Sequence, residues 1–257
     1  MYEVIVLGAT FTAAGIAGKL GKNCLILESR PDAGYEFFGA FNFGTGYDKK
    51  LYSEEAVLLY EKFKEQHAFG EVYTDNNQRV SLFECMPLLY QHLEKIPLLL
   101  NTQIVNIKKD GDEFLCLTHS ISGYQTFRAK KIIDTRVTSN QCISKTYNML
   151  IDGTGEIPSM ENVQSEPWGL SRQYVLRCSV PLFADYSQAR QTILPIIRSL
   201  PKEHKLLLLA DFFDYTTKKG DPNMENGIIY HPSKMYDNPL MAYDAGVCFV
   251  QGGLYKL

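Results

Sequence analysis

The chain has 257 residues, 45% of them hydrophobic and 21% charged, with a formal net charge of −3. That length fits one large domain or two small ones, and the composition supports a packed core and excludes a disordered chain. The charge excludes the basic signature of a nucleic-acid binder, and no apolar run is long enough to cross a membrane.

The start, MYEVIVLGAT, lacks a basic leader and reads as a first strand rather than a signal peptide. Val4-Ile5-Val6-Leu7 is apolar on both faces, as a central parallel strand is, and it stops at Gly8. Ala13, Ile16, Ala17 and Leu20 then recur at helical spacing until Gly21-Lys22-Asn23. Cys24-Leu25-Ile26-Leu27 is a second buried strand, ending at Glu28, 20 positions after Gly8. Strand, glycine turn, helix and strand in under thirty residues predict a dinucleotide-binding unit. Its backbone N–H groups and helix N-terminus suit a pyrophosphate, and an acid ending the second strand suits ribose hydroxyls. The G-x-G-x-x-G/A pattern reads Gly8, Thr10, Ala13, so its middle glycine is replaced.

Residues 29–52 interleave Gly34, Gly39, Gly44 and Gly46 with Tyr35, Phe37, Phe38, Phe41, Phe43 and Tyr47. Such a loop either lines a ligand pocket or plugs a domain interface. Ser53 caps a helix with Glu54 and Glu55 in its first turn and Val57, Tyr60, Phe63 and Lys64 following. Pro87 is expected to open another helix, running to Ile96, in which His92 is a packing or surface residue.

Leu98-Leu99-Leu100-Asn101-Thr102-Gln103-Ile104-Val105-Asn106-Ile107 begins a meander. It turns at Asp110-Gly111-Asp112, and Glu113–Thr118 and Tyr124–Arg128 make a hairpin around Ser122-Gly123. Ala129-Lys130-Lys131-Ile132-Ile133-Asp134-Thr135-Arg136 then forms a strand. With residues 3–30, this stretch from 85 to 136 resembles the FAD-dependent oxidoreductases of the two-dinucleotide-binding-domain type. The resemblance is to their "lLnT.v..v" strand and to the strand reading roughly "A-k-x-x-I-D-A-T-G".

The resemblance implies an α/β fold: a Rossmann-like FAD/NAD(P)-binding domain with a β-meander over residues 1–144, its core segments being 1–30 and 85–136. A smaller α+β substrate domain would span 145–240, and 241–257 would return to the first domain. FAD would be the cofactor, with Gly8, Thr10 and Ala13 at the pyrophosphate. Glu28, Ser29 and Arg30 would lie at the ribose, Ile104 or Val105 at the adenine, and Thr135 and Arg136 beside the cofactor. Arg136 stands where the family has glycine, and could pair with the pyrophosphate or fill its space.

In the second half, Tyr147–Ile151, Gln173–Val180 and Lys205–Phe213 read as strands, Gly153–Trp168 as a polar loop, and Ser187–Leu200 as a helix. Tyr230–Pro239, with His231, Ser233 and Lys234, reads first as a proline-bounded surface loop and otherwise as a cluster that binds a polar substrate or moves a proton, with His231 its best titratable candidate. The closing segment Gly246–Leu254 carries glycines but no Gly-Asp pair, and the length is short for the family. Six scattered cysteines without a CxxC predict free thiols and a cytoplasmic location, and no spacing supports a metal site.

The functional expectation is a flavoprotein oxidoreductase that takes hydride from a small molecule, since flavin chemistry needs few protein side chains. A non-catalytic nucleotide-binding relative, acting as a binding protein or complex subunit, and a nicotinamide enzyme that Glu28 would turn toward NAD are the alternatives. A protein partner or a homo-oligomer stays open, with no membrane or nucleic-acid partner expected.

Overall fold

The computed structural model describes residues 1–66, 82–137, 141–154, 157, 159–167 and 172–253. Parts of the expected 153–168 loop, and Leu254, lie outside them.

The opening unit forms as its pattern dictates. β1 (Tyr2–Leu7) and β2 (Cys24–Leu27) pair in parallel, and α1 (Phe11–Leu20) joins them through a 3-10 turn at Gly21–Asn23. Val4–Leu7 and Cys24–Leu27 are buried on both faces, which is why neither strand alternates. β3 (Leu98–Leu99) extends the sheet beyond β2.

β4 (Gln103–Asp110), β5 (Glu113–Ser120) and β6 (Gly123–Asp134) form the meander. The hairpin strand Tyr124–Arg128 and the strand from Ala129 are one continuous element, β6. Its first half pairs antiparallel with β5 and its second half parallel with β1. β12 (Asn223–Glu225) and β13 (Ile228–Tyr230) complete the sheet, with β13 parallel to β6. Residues 223–230 therefore lie in the first sheet although the 145–240 range was expected to be a separate domain. The pairing partner Ile132–Asp134 is nearly a hundred residues upstream, so no local pattern reports it.

The second sheet is antiparallel and built around β7 (Cys142–Gly153). β9 (Gln173–Ser179) lies on one side of it and β8 (Val163–Pro167) beyond. On the other side β10 (His204–Leu209) pairs with the C-terminal half of β7 and β11 (Asp214–Thr217) with its N-terminal half. β8 corrects the expected polar loop: ladder bonds to β9, rather than side-chain pattern, make it a strand. The expected strand 205–213 ends at Leu209, where Ala210 N–H turns to the Asn148 carbonyl.

α2 (Glu54–Glu65) is capped by Ser53, whose hydroxyl accepts from Ala56 N–H, and buries Ala56, Leu59 and Phe63; Val57 faces solvent instead. α3 (Leu82–Leu93) places Pro87 inside the helix rather than at its start. Buried Cys85, Leu88 and Leu89 hold that helix in the core despite the proline. α4 (Tyr186–Ser199) opens with a capping box of Asp185 and Gln188. The Gly246–Leu254 stretch is largely helix: α5 (Pro239–Gln251) packs along α1, and glycines make the contact. A Cβ on Gly15 would press into the Tyr243 carbonyl, and one on Gly246 into the Thr12 carbonyl.

Phe37, Phe38, Phe41, Phe43 and Tyr47 are buried in the large core that residues of both sheets share. Of the two roles open to that loop, the plug is the dominant one, and Tyr35 alone of its aromatics lines the cleft at the end of the first sheet.

Candidate functional site

The turn from β1 into α1 brings the first group of expected site residues together. Gly8 has φ +94, a conformation costly for any side chain. A Cβ there would also lie 2.6 Å from Arg136 Cγ, so the arginine stem covers the glycine. The Arg136 guanidinium grips Asp134 with two bonds, Nε to Oδ1 at 2.9 Å and Nη2 to Oδ2 at 2.7 Å. Burial alone would lower the Arg136 pKa, but the Asp134 bond and charge outweigh it and raise it. Arg136 thus fills space above the turn, with its charge spent on Asp134.

Thr10 is the N-cap of α1. Its hydroxyl accepts from Ala13 N–H at 3.1 Å and donates to Thr135 Oγ1 at 2.8 Å. Thr135 in turn reaches the Leu7 carbonyl at 3.0 Å. Glu28 is buried at 2% exposure. Its Oε2 accepts from Ala9 N–H at 2.9 Å, and its Oε1 from Arg30 N–H at 2.8 Å and from the Ser29 hydroxyl at 3.2 Å.

Glu36, which the sequence pattern did not single out, and Ser233 of the Tyr230–Pro239 cluster finish the turn. Glu36 Oε1 accepts from Phe11 N–H at 2.8 Å and from the Ser233 hydroxyl at 2.8 Å. Thr12 N–H points to Ser233 Oγ at 3.4 Å. The N–H groups of Ala9, Phe11, Thr12 and Ala13 therefore all have acceptors within the chain. These are the groups a dinucleotide-binding turn offers to phosphate. The available signal was Glu36 itself, the one charge among residues 33–47 in a stretch of aromatics and glycines.

Beside the turn lies a cleft of about 340 Å³ lined by Glu28, Ser29, Arg30, Tyr35, Asp134, Arg136 and Phe212, among others. Arg30 lies over the rings of Tyr35 and Phe212, at 5.4 and 4.8 Å from their centroids. Its Nη2 donates to the Asp211 carbonyl, while its buried Nε has no partner. Val105 is 51% exposed on β4 and does not join the cleft lining.

A second cleft, about 430 Å³, opens between the 42–45 loop and the second sheet, and Tyr215 borders both. Its walls are hydroxyls and charges. Asp214 accepts from Arg177 Nη1 at 2.6 Å, Lys234 Nζ at 2.9 Å and Asn42 Nδ2 at 2.8 Å. Burial pushes the Asp214 carboxyl up, but Lys234 and Arg177 outweigh that and hold it below the usual range.

His231 stands in neither cleft. It is 1% exposed, its Nε2 lies 2.7 Å from the Tyr236 hydroxyl, and its Nδ1 is buried without a partner. Burial lowers its pKa to about 4, which leaves the ring neutral at pH 7. Among the described residues the cysteines are free thiols, and no helix is long and apolar enough to cross a membrane.

No protein-family profile and no curated protein sequence matches the chain. Solved structures do resemble it. Glycine oxidase from Geobacillus kaustophilus superposes with a TM-score of 0.61 at 12% identity, over 97% of this chain and 93% of that one. p-Nitrophenol 4-monooxygenase PnpA from Pseudomonas putida DLL-E4 gives 0.58 at 12%, over 98% and 77%. Aklavinone-11 hydroxylase, in a ternary complex with FAD and aklavinone, gives 0.57 at 11%, over 96% of this chain and 60% of that one. The chain spans less than two thirds of several hydroxylases it resembles. At such identities the likeness establishes the fold alone, a mixed α/β fold shared with these oxidases and hydroxylases, of which the aklavinone-11 hydroxylase complex contains FAD. The residues do not fit its pyrophosphate as they stand, because Glu36 holds the α1 N-terminus and Arg136 covers Gly8.

Proposed function

We propose that the chain is a flavoprotein-type oxidoreductase with a small polar substrate. The supporting observation is the pair of clefts that meet at Tyr215, the first at the C-terminal ends of β1, β2 and β6. Ligands of open α/β sheets bind outside those strand ends. In this reading Glu28, Ser29 and Arg30 lie beside the adenosine half of FAD, and Tyr35 and Phe212 offer planes to its base. The polar cleft, walled by Asp214, Arg177, Lys234 and hydroxyls, would orient a hydrogen-bonding substrate. Hydride transfer from that substrate to flavin is the activity proposed, and no residue is given a step in it. Titrating the purified protein with FAD while following flavin absorption and fluorescence tests the reading. A colourless protein that perturbs neither signal at saturating FAD, as wild type and as Glu36→Ala alike, sinks it.

A second reading, a binding relative without redox chemistry, is favoured by the Arg136–Asp134 pair lying across Gly8. Combining Thr10→Gly with Arg136→Gly separates the two. Flavin affinity that appears only in the double variant supports the second reading, and equal affinity with wild type rejects it.

A further inference from the structure

Glu36 is 1% exposed and belongs to the loop between β2 and α2, yet its carboxylate ends at the first turn of α1. That position is electrostatically defined. The N-terminus of a helix carries partial positive charge and unpaired N–H groups, and it draws an anion. In a dinucleotide fold the anion is the ligand's pyrophosphate. Here the anion is part of the chain, and Ser233, from the loop that leads into α5, helps to hold it.

We propose that Glu36 sets the selectivity of this cradle: its carboxylate takes the place of a ligand phosphate on α1, and a pyrophosphate-bearing ligand enters only when Glu36 is displaced or removed. The proposal rests on reading the first sheet as a dinucleotide fold. The carboxylate is an incomplete plug. Oε1 takes both hydrogen bonds, while Oε2 is buried with no partner. Glu28, by contrast, uses both oxygens. A buried carboxylate oxygen without a donor is costly, so moving Glu36 out to water relieves a penalty. Burial drives the acid up to about 7, against the pull of the Phe11 N–H, the Ser233 hydroxyl, its own backbone N–H and the Lys234 charge. While Glu36 stays in place and ionised, an arriving phosphate meets a like charge and finds the Phe11 N–H taken.

The test uses the full chain at pH 8 and constant ionic strength, with wild type, Glu36→Ala, Glu36→Gln and Ser233→Ala compared. Glutamine keeps the size and an acceptor oxygen, so it guards against a cavity that fails to fold. Ser233→Ala leaves Glu36 in the chain but removes one of its two anchors. The probes are FAD, followed by flavin fluorescence, and inorganic pyrophosphate, followed by calorimetry. Glu36→Ala and Glu36→Gln should bind pyrophosphate at least tenfold more tightly than wild type, with Ser233→Ala shifted the same way. A gain for pyrophosphate without any FAD binding upholds the role of Glu36 and discards the flavoprotein reading. FAD binding of equal strength in all four proteins overturns the role of Glu36 and leaves that reading intact. Folded variants that gain for neither probe overturn the proposal.

Discussion

Converting Glu36 to glutamine removes one ionisable group from the interior while keeping its shape, and the consequence for stability can be worked out. Burial raises the folded-state pKa from 4.5 to about 7. Between those values the folded protein holds a proton that the unfolded chain has released, so stability falls as pH rises through the window. The difference of about 2.5 units corresponds to about 3 kcal/mol in full, of which about 2.5 kcal/mol falls between pH 5 and 8. His231 acts in the opposite sense. Its folded pKa drops from 6.5 to about 4, so the unfolded chain binds the extra proton and stability rises with pH across that range. The two oppose each other from pH 4.5 to 6.5, and His92, whose pKa burial also lowers, adds to the rise. Urea denaturation of wild type and Glu36→Gln at pH 5, 6, 7 and 8, followed by circular dichroism, isolates the Glu36 part as a difference. The variant should gain about 2.5 kcal/mol on wild type between pH 5 and 8, and its own curve should expose the rise from His231 and His92 together. A difference that does not change with pH would refute the claim that this carboxylate is desolvated.

Three further outcomes are expected. Gly15→Ala should cost about 3 kcal/mol, read as a lowered denaturant midpoint, because its Cβ enters the α5 backbone at Tyr243; an unchanged midpoint would mean that α1 and α5 do not meet as described. Asp214→Ala should cost about 3 kcal/mol in the same assay by stranding Lys234 and leaving Arg177 with Glu166 alone, and a loss under 1 kcal/mol would show that the network is solvated. Thr10→Ala should cost about 1 kcal/mol through loss of the α1 cap, with Thr135 Oγ1 keeping the Leu7 carbonyl; thermal melts that coincide with wild type would contradict the inward-facing hydroxyl.

What the sequence by itself determined is what depends on near neighbours. Val4–Leu7 and Cys24–Leu27 read as buried parallel strands because both faces are apolar, and the glycine turn with the helix between them leaves few other arrangements. Ser53 announced its helix through a cap that reaches only three residues, and the meander turn at Asp110-Gly111-Asp112 is equally local. The same reading carried the likeness to flavoprotein oxidoreductases, since the residues behind it lie in two contiguous stretches. It could also name Gly8, Thr10, Ala13, Thr135 and Arg136, which the fold does gather at one turn.

Only the tertiary structure decided what those residues do there. Spacing shows that Thr10 replaces a glycine but not that its hydroxyl turns inward to Ala13 and Thr135. The family resemblance places Arg136 near Gly8 but not its charge on Asp134. Glu36 and Ser233 are 197 residues apart and share a hydrogen bond on α1, a contact that no pattern within a window could report. The glycines of α1 and α5 meet for the same reason. An opening of 257 residues, weakly acidic and rich in aromatics, set the size of the core. Whether its helix N-terminus faces a ligand or a carboxylate of its own is a question of long-range packing, which determines where a desolvated charge comes to rest.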